Sequence, residues 1–111
     1  MSELFALKAQ KDAAKHQIDL RNAALKLYNN REFRTVILDE FCMKECVRYV
    51  HTSCDPAVDK TAQADALALA QASGHLKRFL SILVQMGNLA ERQMVELDEA
   101  ILLASQEEGN D

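Results

Sequence analysis

The amino-acid sequence predicts an all-α protein folded as a long antiparallel helical hairpin, and three observations carry that expectation. Strong helix formers dominate the 111 residues, while the breakers are limited to three Gly and one Pro. A hydrophobic repeat alternates steps of four and three without a slip from Ala62 through Ala66, Leu69, Ser73, Leu76, Leu80, Leu83, Gly87, Ala90, Met94 and Leu97 to Ile101. Opposite charges also collect at the two ends. Residues 1–34 hold seven basic and four acidic side chains, whereas residues 91–111 hold one basic and seven acidic.

The repeat is a 3.5-residue seam of the kind that faces partner helices. At 1.5 Å per residue it would extend over roughly 60 Å, too far for a compact globule of this length to surround. Aromatic residues make up only 5% of the chain. Narrow seams between helices are therefore expected in place of a broad core.

Three helices follow in order. Ser2 is a candidate N-cap, and Leu4, Leu7, Ala14, Ile18, Leu25 and Tyr28 recur at spacings of three, four or seven, predicting a helix over 2–28. Lys11 and Arg21 fill the vacant seam positions, where long stems can cover apolar surface with their charges outside. Asn29 and Asn30 interrupt the pattern, and Asn30 would cap a second helix over 31–51. That helix is apolar on nearly every side when 3.6 residues per turn are assumed, which predicts burial against more than one neighbour.

Thr52-Ser53-Cys54-Asp55-Pro56 is a turn, with Asp55 capping and Pro56 opening a last helix over 56–106. A short turn over 56–60 with the main helix starting near Thr61 is the alternative. Gly74 and Gly87 would mark a bend or a tight backbone contact, and residues 107–111 form an acidic tail expected to fray from the single helical domain 1–111. Two arrangements compete. Helices 1 and 2 can run end to end with helix 3 returning along both, or helix 1 can fold back on helix 2 as a compact bundle. Helix lengths and the opposite charges of the two ends favour the first, the long hairpin.

Composition excludes several classes of function. Three cysteines do not make a disulfide framework and fit a reducing, cytoplasmic setting. No apolar run approaches the length of a membrane span, and Lys8, Lys11 and Lys15 interrupt any signal-like N-terminus. No phosphate-binding loop, nucleophile triad or zinc-protease helix is present, so no enzyme and no cofactor are expected. Cys42, Cys46, His51 and Cys54 have ligand-like spacing, but the paired knuckle of a zinc site is missing and no metal is expected there. His16 and His75 stand singly. Lys8, Lys11 and Lys15 on the first helix could track phosphates, with His75, Lys77 and Arg78 as a smaller basic spot, though interleaved acids dilute them.

Four stretches carry a family resemblance: Asn22-Ala23-Ala24-Leu25, Phe33-Arg34-Thr35-Val36-Ile37-Leu38-Asp39, the Asp55-Pro56 turn, and Ala72-Ser73-Gly74-His75-Leu76-Lys77-Arg78-Phe79. Over residues 20–100 the chain resembles small all-helical proteins that tailed bacteriophages encode among their virion-assembly genes. The resemblance implies a protein of the bacterial host cytoplasm and a minor component of the particle. It transfers no activity and no functional residue.

The functional expectation is a non-enzymatic interaction protein that self-associates or docks onto a larger protein assembly, with no membrane partner. Its interaction seam is expected at Phe33, Ile37, Phe41, Leu76, Leu80, Leu83, Met94, Leu97 and Ile101. A nucleic-acid-associated oligomer acting through the first helix is the alternative, and a zinc-stabilised module the third.

Overall fold

The computed structural model describes residues 2–109, and among these the secondary structure is entirely helical. Helix α1 spans Glu3–Asn29, a single turn α2 spans Arg31–Phe33, a π-helical stretch spans Arg34–Glu45, α3 spans Cys46–Ser53, and α4 spans Lys60–Gly109. The turn α2, the π-helix and α3 follow one another without a break, so they form one middle helix. The fold is the all-α helical hairpin that the sequence predicts. Contacts gather into two compact units, a terminal one made of residues 2–25 with 82–109 and a central one made of residues 26–81.

Capping side chains set the helix starts. Ser2 Oγ accepts from the Phe5 amide at 3.2 Å, and Asn30 Oδ1 accepts from the Phe33 amide at 2.7 Å, so both expected caps are formed. The last helix starts later than residue 56. Asp55 Oδ1 accepts from the Ala57 amide at 2.9 Å and holds a tight turn, which Gln63 Nε2 closes by donating to the Asp55 carbonyl at 2.7 Å. Asp59 is the N-cap, its Oδ1 accepting from the Ala62 amide at 2.8 Å. The short-turn alternative is therefore the one realised. At the other end α4 continues through Gly109, past the expected stop at 106, while residues 110–111 of the expected frayed tail lie outside the described residues.

In the terminal unit α1 lies antiparallel to the second half of α4. Lys11 pairs with Asp98 at 2.7 Å, and Arg21 donates to Glu91 at 2.5 Å and to Asn88 at 3.1 Å. The basic first helix thus meets the acidic end of the chain, as the charge asymmetry implies. The Lys11–Asp98 pair is about half exposed on both sides and is worth less than about 1 kcal/mol, so it sets register more than stability. Arg21 acts differently. Its stem lies directly on Gly87, where a built Cβ would collide with Arg21 Cβ and come within 2.8 Å of its Cγ. Gly87 is therefore the position of close helix approach. Gly74, whose surroundings are open, is not.

The central unit solves a different problem. On α4 the seam residues Ala66, Ser73 and Leu80 are buried, Ser73 at 1% exposure, and Ala70 is buried in place of Leu69. The facing helix winds as a π-helix, whose backbone bonds reach five residues along the chain instead of four. That winding gathers Phe33, Ile37, Cys42 and Cys46, spaced four, five and four apart, onto the covered side. A wheel drawn for an α-helix scatters these four residues, which accounts for part of the all-round apolar pattern, while Val36, Met43, Val47 and Val50 of the same helix stay exposed.

Candidate functional site

The residues that sequence pattern marks as an interaction seam are placed inside the hairpin. Leu80 is buried, and Phe33, Ile37, Phe41, Leu76, Leu83, Met94, Leu97 and Ile101 are half-buried along the covered faces of the middle helix and α4. The hairpin's own packing takes up part of this seam, and its half-buried members keep some area exposed. An amphipathic stripe is covered first by the nearest helix of its own chain, and only what that helix leaves over is open to a partner.

The remainder is large. Sixteen big apolar side chains among the described residues are substantially exposed. The central unit exposes Leu27 near the end of α1, Val36, Met43, Val47 and Val50 on the middle helix, and Leu67, Leu69 and Phe79 on α4. The terminal unit exposes Phe5, Leu25, Ile82, Met86, Leu89, Val95, Leu102 and Leu103, with Phe5 at 59% and Leu103 at 61%. A folded monomer of 12.5 kDa is expected to expose roughly 6,200 Å². This chain exposes 8023 Å², an excess on the order of 1,800 Å². Small side chains at the covered positions (Ala14, Ala24, Ala66, Ala70, Ala90, Ala104) are one physical cause, because helices that meet through alanine bury little apolar area.

One part of this surface is concave. Between α1 and α4 in the terminal unit runs a groove of about 540 Å³. Gln10, Ala13, Ala14 and Gln17 form its α1 wall, and Met86, Leu89, Ala90, Gln93, Glu96, Leu97 and Ala100 its α4 wall. Glu96 is the single charged residue of the lining. The charges of α1 lie elsewhere, since Lys8, Asp12, Lys15 and Asp19 repeat at four and three on the side away from the groove.

Two of the three thiols pack against α4. Cys42 is buried and its Sγ donates to the Ser73 carbonyl at 3.7 Å, while Cys46 Sγ donates to the Ala70 carbonyl at 3.8 Å. Burial pushes the Cys42 thiol above its ordinary value, with the Lys77 ammonium offsetting part of the rise, so the donor stays protonated at neutral pH. Cys54 and His51 are exposed further along. Among the described residues no group of three or more His, Cys, Asp or Glu is assembled to hold a metal ion, and the four spaced candidates are not brought together. Of the three lysines considered for phosphate contacts, Lys11 is engaged with Asp98, and Lys8 and Lys15 are exposed among acids. Among the described residues no helix is long and apolar enough to cross a membrane. No protein-family model matches this chain, and no curated protein or solved structure matches it either.

Proposed function

We propose that this chain is a non-enzymatic helical interaction protein that works as an oligomer or as a docked part of a larger protein assembly. The observation that carries the reading is the excess of exposed surface, on the order of 1,800 Å², together with the sixteen large apolar side chains on it. A specific interface removes about 800 Å² from each partner. Covering that much at about 25 cal/mol/Å² of apolar area is worth on the order of 10 kcal/mol before the entropic losses of association. The resemblance to helical proteins of tailed phages adds a setting, the assembly of a virion in the host cytoplasm. The alternative, nucleic-acid binding through Lys8 and Lys15, has a weaker basis because the face that bears them carries Asp12 and Asp19 as well.

Molar mass by sedimentation equilibrium, combined with binding of a hydrophobic dye, tests the reading. Either a mass above that of one chain or strong dye binding by a folded monomer is expected. A folded monomer at high micromolar concentration that binds no dye would overturn it.

A further inference from the structure

The excess surface supports the reading that a partner covers part of it, and the order of side chains along the terminal groove points to which one. On α4 the groove side reads Met86, Leu89, Gln93, Leu97, Ala100, with steps of three, four, four and three. The spacing is a palindrome about Gln93. About that centre the outer positions pair a long side chain with a small one, Met86 with Ala100, and the inner positions pair leucine with leucine at 89 and 97. Such a stripe is complementary to itself when reversed.

We infer that the terminal groove is occupied by a second copy of this chain, its α4 antiparallel to the first and the two-fold axis passing at Gln93. This rests on the reading of the chain as an interaction protein and names the partner. In that register Met86 of each copy stands opposite Ala100 of the other, a long flexible side chain over a small one. Leu89 stands opposite Leu97, and the two Gln93 amides meet at the axis, where each can donate to and accept from the other. Met86 and Leu89 are 43% and 40% exposed in the single chain, so both have area left to bury. Glu96 falls opposite Ala90 and keeps its carboxylate at the rim. The paired stretch from 86 to 100 is about 21 Å long. The excess surface of each chain is roughly twice the approximately 800 Å² that a stable two-fold contact takes from each partner.

Three samples test this: the intact chain, Leu89→Glu, and Val95→Glu. Both substitutions place a carboxylate on an exposed position of α4, but Val95 lies outside the groove lining and serves as the control. The intact chain is expected to be a dimer. Leu89→Glu is expected to weaken dimerisation at least about 100-fold, because the dimer would bury an unpaired carboxylate twice, while its helical circular dichroism stays unchanged. Val95→Glu is expected to leave the dimer intact. Gln93→Cys, oxidised and mapped by mass spectrometry, is expected to give a disulfide joining position 93 of one copy to position 93 of the other. A dimer that survives Leu89→Glu, or one that forms no 93–93 link, overturns the groove assignment and leaves the interaction reading standing. An odd-numbered oligomer, or a monomer at every concentration, overturns the two-fold pairing. In the monomer case dye binding decides separately whether the surface serves another partner.

Discussion

The terminal and central units use the same helix, α4, yet they fit a neighbour to it in different ways. In the terminal unit the neighbour keeps ordinary α-winding, and the fit comes from removing atoms. Gly87 and the alanines let α1 come close, and ion pairs at Arg21 and Lys11 fix the register. In the central unit the neighbour changes its winding, so that residues four and five apart reach one face and two thiols sit over carbonyls of α4. A regular 3.5-residue seam therefore does not dictate what lies against it. It can be met by thinning the neighbour or by rewinding it, and the residue types of the neighbour decide which.

The difference can be broken at chosen positions. Leu80 is the large apolar side chain buried most completely on α4 in the central unit, and Leu80→Ala is expected to lose about 2–5 kcal/mol of stability in urea unfolding. Gly87→Ala should cost about 1–3 kcal/mol, because the added methyl meets Arg21 at its Cβ and not at a flexible tip. Gly74→Ala, the same substitution in the same helix at an open position, should instead gain up to about 1 kcal/mol. Equal effects at the two glycines would contradict the close approach in the terminal unit. Lys11→Ala is expected to cost less than about 1 kcal/mol, with the loss shrinking further in high salt.

The smallest effect is a dependence on pH. The folded-state pKa of Cys42 is raised by burial above the ordinary 9.0, so its contribution is fully present below that value. It is lost as the pH rises through the folded pKa. Urea midpoints should therefore fall more steeply in alkaline solution for the intact chain than for Cys42→Ala. Equal slopes would remove Cys42 from the balance of the central unit.

Much of the hairpin was legible in advance because heptad spacing and charge asymmetry act over many residues. The seam is covered at nearly every expected position of α4, and the ends pair as their charges imply. Two departures share one cause. Heptad spacing puts Leu25 and Leu69 on the seam, but Ala24 and Ala70 are the buried ones, because close helix approach selects small side chains over large neighbours. The π-winding was hidden because a wheel assumes its own period, although the spacing of Phe33, Ile37, Cys42 and Cys46 was there to be read. Asp55 and Asp59 are both good caps, and only the turn geometry around Pro56 separates them. The open surface could not be told from the covered seam, since apolar stripes on one helix look alike until each neighbour is placed.

The central claim is that this chain folds with more apolar surface than it can cover alone and that a further copy covers it. Melting temperature measured over a wide range of protein concentration tests that most directly, because mass action ties the stability of an oligomer to its concentration. The expected result is a melting temperature that climbs steadily with concentration. A melting temperature that stays flat, from a chain that sediments as a monomer throughout, would contradict it.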